Sequence, residues 1–313
     1  MLLQTRLAIA NHLYPHQKQR SAFNIVNTIL DRTVTFLMEQ PGVSDRTIRS
    51  LYLTNYFTVV ELDDTSIGAS WSDYKLSREH LTETQSTMRS LLNKDPLLVR
   101  FTQCYAATDG IARSIRTAIV SALSTPILCT GEDQYFIAAR DFPFHFFRGI
   151  KYAVVIGFGG YLDYLIRRTS AQRIHVSDLQ YQYRKKQIER EIGIYRKKYP
   201  SVQLSVSDGS DSRDHLQKAD FVSITGSTLA NDTLELLLDS ARDCGKIILQ
   251  GESASIHPKE LFAAGVHLVV TTLKTRDVAK AAFWHSTRDG LDLCSWLEGN
   301  LKPIYLWPKI TRD

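Results

Sequence analysis

The chain of 313 residues lacks most of the motifs that announce a chemistry. It has four cysteines, Cys104, Cys129, Cys244 and Cys294, far apart and without a C-x-x-C pair. Isolated thiols of this kind belong at buried apolar positions in a reducing compartment, which argues against disulfides and against a cysteine-built zinc site. No apolar run approaches the roughly 18 residues that a membrane-spanning helix needs. The opening Met-Leu-Leu-Gln-Thr-Arg has no charged n-region followed by a long h-region, so a cytoplasmic protein with no membrane partner is expected. Charge of one sign is also scarce, with a formal net charge of only +5. The basic clusters Arg184-Lys-Lys186 and Arg196-Lys-Lys198 alternate with Glu189 and Glu191 along one expected helix, the pattern of a solvated face, and nucleic acid is not expected as a partner. There is no nucleophile elbow, kinase signature, Walker loop, paired-carboxylate motif, repeat or low-complexity segment. No catalytic residue can be named, and any chemistry rests on positioning or on a bound cofactor.

What is present is the composition of a globular protein, 43% hydrophobic and 23% charged, with length enough for two domains. Apolar residues from Phe23 to Leu37 recur at helical spacing, predicting a helix over 17–39 that ends at Pro41-Gly42. The β-prone runs Ser50 to Leu62 and Ile67 to Ser72, joined by Asp63-Asp64-Thr-Ser, read as a hairpin. Helices are expected over 77–93 and 108–123. Residues 125–149 show no clear period, and the aromatics Phe142, Phe144, Phe146 and Phe147 mark a packed connection. The first 149 residues therefore read as a smaller α+β domain.

From residue 150 to 313 the rhythm changes. Short apolar runs at Ala153–Ile156, Arg173–Ser177, Gln203–Val206, Phe221–Thr225, Lys246–Leu249 and Val266–Thr271 alternate with helical segments. Such alternation specifies α/β architecture, a parallel sheet with helices on both faces, and puts ligands beyond the carboxyl ends of the strands. The first run ends in Gly157-Phe158-Gly159-Gly160, followed by Tyr161, and the second closes on Asp178. Strand, glycine turn, helix and a carboxylate-ended strand make a Rossmann-like nucleotide unit, in which backbone N–H groups approach the ligand and the carboxylate reaches ribose. Leu162 stands where a third small residue is usual, and Asp163 beside it disfavours a pyrophosphate at the helix N-terminus. S-adenosylmethionine, which has no phosphate, is the preferred nucleoside cofactor.

Two further strand ends carry small and polar residues. One is Thr225-Gly226-Ser227-Thr228 with Asn231 beyond it, and the other is Gln250-Gly251-Glu252-Ser253. Hydroxyls and N–H groups gathered there suit a polar ligand head, and they also suit simple helix capping. Metal-ligand spacing is weak. His12 and His16 are separated by Pro15, no metal ligand is assigned, and Asp178, Glu252 and the hydroxyls leave room for a hard cation. His257, His285 and Asp289 are acid–base candidates, more often ordinary hydrogen-bonded side chains.

The segment Ile224-Thr225-Gly226-Ser227-Thr228-Leu229-Ala230-Asn231-Asp232-Thr233-Leu234-Glu235 resembles the characteristic stretch of the putative heavy-metal chelation family, a domain of unknown function. Phe57-Thr-Val-Val-Glu-Leu with Ile67-Gly68-Ala69, and Thr117-Ala-Ile-Val-Ser-Ala-Leu123, agree with it more loosely. The resemblance implies an enolase-N-terminal-like domain ahead of a Rossmann-like domain, with a small-molecule site between them. Three readings follow: an enzyme, S-adenosylmethionine-dependent transferase-like, that binds a nucleoside-type ligand; a non-catalytic binder of a metal or metal–chelate complex; and, third, an NAD(P)-dependent oxidoreductase, for which no Tyr-x-x-x-Lys pair is in place. A homodimer is the default assembly.

Overall fold

Helix α1 (Ile29–Met38) opens on a reciprocal capping box, in which the Thr28 side chain accepts from the Asp31 N–H and the Asp31 carboxylate accepts from the Thr28 N–H at 2.8 Å. This computed structural model describes residues 28–53, 57–72, 110–131, 133–139, 144–159, 161–273 and 303–309. The earlier turns expected for α1 from Gln17, the helix expected over 77–93, and the candidates His12, His16, His285 and Asp289 lie outside the described residues.

The β-prone run up to Leu62 divides into β1 (Ile48–Leu53) and β2 (Phe57–Leu62), and β2 turns back into β3 (Ile67–Trp71). All three pair antiparallel in the order β1-β2-β3, so the hairpin across Asp63 and Asp64 stands and gains a third strand. Every residue of β2 is buried, which requires a neighbour on each edge and cover on both faces. Helix α2 (Gly110–Cys129) provides cover and continues past the expected end at Leu123. It lies directly on β3 at Gly68, where any side chain would collide with the backbone of Ala118 and Ala122.

β4 (Phe136–Ala139) follows, then β5 (Tyr152–Ile156), α3 (Tyr161–Arg168), β6 (Arg173–Asp178), α4 (Tyr181–Lys198), β7 (Gln203–Asp208) and α5 (Ser212–Leu216). The chain continues through β8 (Phe221–Thr225), α6 (Ser227–Ala230), α7 (Leu234–Ser240), β9 (Ile247–Gln250), α8 (Lys259–Ala263), β10 (Leu268–Thr272) and β11 (Pro303–Pro308). The large sheet has eight strands in the order β4-β11-β10-β9-β8-β5-β6-β7, with β5 to β10 parallel and β11 and β4 antiparallel to their neighbours. The architecture is the expected α/β one, with the order reversing at β5 between β6 and β8. Such a reversal opens a crevice at the carboxyl ends of the two diverging strands.

Side chains alternate between two cores. Val154, Ile156, Val222, Ile224, Ile247 and Leu249 join α1, α2, α7 and the small sheet in one cluster. Ala153, Val155, Phe221, Ile248, Leu268 and Val270 face α3 and α4 in the other. Because the first cluster also holds Leu51, Leu53, Val60 and Leu62, the small sheet shares its core with the large one. Polar ties reinforce that junction. Trp71 N–H donates to Ser253 Oγ at 2.7 Å, Ile29 N–H to Glu235 Oε1 at 2.8 Å, and Ser121 and Ser255 hydroxyls meet at 2.6 Å.

Candidate functional site

The crevice begins where β5 gives way to Gly157. With φ of +89° this residue occupies the left-handed region that favours glycine, and a Cβ on it would lie 2.6 Å from Thr225 Cγ2 at the end of β8. The two diverging strands thus touch through a backbone that tolerates no side chain. Gly157 N–H donates to the Ser177 carbonyl at 2.8 Å, and Phe158 N–H donates to Asp178 Oδ2 at 2.7 Å. The other oxygen of Asp178 accepts from Gln180 N–H at 2.7 Å. Asp178 is buried, and both its oxygens hold backbone, so it organises the glycine turn from beneath. Phe158 packs partly buried on the second core, Gly159 is exposed and accepts from Leu162 N–H, and Tyr161 opens α3. Gly160 and the side chain of Tyr161 are outside the described residues.

Asp163 does not point its charge at the turn. Its carboxylate meets Arg167 at 2.8 Å, Lys198 at 2.9 Å and Tyr199 Oη at 2.7 Å. Burial works to raise its pKa, but the hydrogen bonds from Lys198 and Tyr199, with the charges of Arg167 and Lys198, hold the carboxyl below its ordinary value. The expected repulsion of a pyrophosphate at this helix is therefore offset locally.

On the β8 side, Gly226 N–H donates to the Gln250 carbonyl at 2.6 Å, and a Cβ on Gly226 would lie 2.7 Å from Ala254 N. Ser227 Oγ donates to Thr225 Oγ1 at 3.3 Å, and Thr228 Oγ1 to the Thr225 carbonyl at 2.7 Å. Asn231 Oδ1 accepts from the N–H and the hydroxyl of Thr233, at 3.2 and 2.6 Å, a local turn that leads into α7. Thr228 and Asn231 thus engage their polar atoms within the loop, while Thr225 and Ser227 stay half-buried on the rim. Asp232, at a left-handed φ of +57°, lies 3.8 Å from Arg113 of α2; burial raises its carboxyl while Arg113 and Arg116 oppose that rise.

At the end of β9, Gly251 has φ of +108°, and the next residues form a short turn. Glu252 Oε2 accepts from Thr272 Oγ1 at 2.6 Å, joining β10 to the rim. The structure brings Gly157, Thr225, Gly226, Ser227, Gly251 and Glu252 to one edge. Sequence reasoning missed Thr272 there, and placed Gln250 and Ser253 on the rim only as neighbours of Gly251 and Glu252; Ser253 ties the rim to the small sheet. Their signal was the polar residue closing each apolar run. His257 is fully buried; burial lowers its pKa against the pull of Asp133, whose Oδ2 lies 2.7 Å from its Nε2. It is a core residue rather than an acid–base group on the rim.

Residues 148–284 match the family described as putative heavy-metal chelation, DUF364. The DUF364 fold extends well beyond the matched segment. A crystal structure of a DUF364 protein of unknown function from Pyrococcus horikoshii aligns with TM-score 0.62 at 14% identity, covering 90% of this chain and 100% of that one. Another, from Desulfitobacterium hafniense DCB-2, aligns with TM-score 0.60 at 15% identity, covering 90% of this chain and 99% of its own. At such identities the likeness is one of fold. No curated protein matches the chain.

The DUF364 description implies a metal, and the donors argue against a resident heavy-metal ion. Such ions favour thiolate and imidazole ligands in clusters. Among the described residues no three His, Cys, Asp or Glu side chains gather to hold one. Burial pushes the thiol of Cys244 up, keeping it protonated, whereas Cys129 stands exposed at the end of α2 rather than in the buried position expected of it. The rim offers hydroxyls, an amide and one carboxylate, a set that suits an organic molecule. No helix among the described residues is long and apolar enough to cross a membrane.

Proposed function

We propose that this protein binds a small polar organic molecule in the crevice over the carboxyl ends of β5, β8, β9 and β10, and that any metal arrives within such a molecule as a chelate. The reading rests on the strand-order reversal at β5, where Gly157 packs against the Thr225 methyl group and the side chains of Thr225 and Ser227 stay half-buried on the rim. The family description supplies the chelate, and the rim's oxygen donors favour a complex over a bare ion. Binding needs no catalytic residue, in keeping with the absence of a triad from the sequence. Elemental analysis and small-molecule mass spectrometry of protein purified without chelators test it: an organic species released on denaturation is expected, with bare metal well below one equivalent. A full equivalent of metal with no organic species would refute it.

A second reading, an S-adenosylmethionine-type nucleoside cofactor, draws support from the reversal at β5 and the glycine turn. It is weakened by Asp178, whose two oxygens already accept from Phe158 and Gln180. Saturable calorimetric binding of S-adenosylmethionine would move it to first place.

A further inference from the structure

Two buried polar atoms beneath the rim have no hydrogen-bond partner among the described residues: Ser223 Oγ in β8 and Gln250 Oε1 at the end of β9. Ser223 is 0% exposed and Gln250 4%. An unpaired polar atom in such a place costs stability and calls for an explanation. Strand alternation shows where both residues lie. Val222 and Ile224 fill the first core and Phe221 the second, so Ser223 and Thr225 share the face of Phe221. Ile247 and Leu249 fill the first core and Ile248 the second, so Gln250 shares that same face, as Thr272 does after Leu268 and Val270. Thr225 is the register partner of Gln250, and Ser223 that of Ile248. One row of polar side chains therefore runs along the carboxyl ends of β8, β9 and β10, with Glu252 at the rim, Thr225 and Gln250 level with one another, and Ser223 two residues deeper.

The row is rich in acceptors. Glu252 brings a carboxylate that accepts from Thr272, and Gln250 presents a carbonyl oxygen. A phosphate or carboxylate set here would face negative and acceptor oxygens, whereas a hydroxyl or ammonium would satisfy them. Resting on the crevice reading above, we infer that Gln250 and Glu252 select the ligand by a hydrogen-bond donor, a hydroxyl or an ammonium group, that enters between β8 and β10 and satisfies the amide oxygen of Gln250. Ser223 completes the floor, its hydroxyl able to accept from or donate to the same group. Gln250 is thus a specificity residue kept at the expense of stability, the trade that binding sites make.

Gln250→Met, which keeps the volume and removes the polar atoms, separates binding from folding. Wild type and variant are titrated by calorimetry with adenosine, which carries hydroxyl donors, with S-adenosylmethionine, which adds an ammonium, and with ferric citrate as an anionic chelate. The expected result is that a donor-bearing probe binds wild type and binds Gln250→Met at least about tenfold more weakly, while the unliganded variant unfolds about 2–4 °C higher. The adenosine and S-adenosylmethionine arms tell a hydroxyl donor from an ammonium. Equal affinity in wild type and variant would overturn the inference, as would a variant that unfolds at a lower temperature, since the amide would then be a structural group. Binding of ferric citrate alone would overturn it and leave the crevice reading intact. A wild type that binds none of the three would remove both.

Discussion

The carboxylate of Asp178 holds the N–H of Phe158 at 2.7 Å, and so the acidic end of β6 fixes the shape of the glycine turn after β5. Its second oxygen holds Gln180 N–H at 2.7 Å. Asp178→Ala leaves both donors unmatched and is expected to lower unfolding free energy by about 1–3 kcal/mol. Urea denaturation measures it. A variant as stable as wild type would show that the turn does not depend on this side chain.

Gly157 and Thr225 make a steric pair. Gly157→Ala forces a side chain into a left-handed backbone and against Thr225 Cγ2, at an expected cost of about 2 kcal/mol or more. Thr225→Ser removes that methyl group and should recover the steric share, leaving the conformational share. The double-mutant cycle is therefore expected to be non-additive, with the pair less damaged than the sum. Additive losses would mean that the two residues do not meet.

His175 gives stability a dependence on pH. Its ring stacks on that of His215 with centroids 3.5 Å apart, and its nitrogens lie 2.8 Å from Ser205 Oγ and 3.0 Å from Ser207 Oγ. Burial, and then the charge of His215, pushes its pKa from 6.5 down to about 4. Between these values the unfolded chain binds a proton that the folded chain refuses, so stability is full above the upper value and falls as pH drops toward the lower. His175→Gln should flatten this part of the stability–pH curve, followed by denaturant midpoints. Unchanged slopes would contradict the burial of a neutral imidazole.

Asp163 should act in the same direction through a different window. Because its folded pKa is depressed, the ion cluster with Arg167, Lys198 and Tyr199 contributes above the unfolded carboxylate value and is lost as pH falls through the folded one. Asp163→Asn is expected to cost about 1 kcal/mol or less near neutrality, in keeping with a partly exposed cluster, and to flatten the curve below about pH 4. High salt should shrink the difference.

The parallel strands each appear within a residue or two of their expected place; the inner ones were legible because their apolar runs are buried on both faces, while the edge strand β7 buries only Leu204. β4 was not, since only Phe136 of its four residues is buried and Ile137 is 36% exposed. β11 begins and ends in proline, Pro303 and Pro308, which masks a strand held between β10 and β4. The split between β1 and β2 was hidden by an unbroken β-prone run. At the site, sequence located the strand ends but not what their atoms hold. Asp178 was visible as a carboxylate closing a strand, and only coordinates reveal that its oxygens face backbone N–H groups. Gln250 was visible as the residue closing its strand, but one amide after Ile-Ile-Leu carries no sign that its oxygen will be buried without a partner among the described residues.

The most direct test of ligand binding in the crevice is a calorimetric titration of metal-free protein with zinc ion alone and with the organic species that mass spectrometry identifies in the purified protein, repeated on Thr225→Val. The account predicts saturable binding of the organic molecule at one site, weakened about tenfold or more by loss of the Thr225 hydroxyl, and no stoichiometric binding of the bare ion. Tight stoichiometric binding of zinc, unaffected by Thr225→Val, would contradict it.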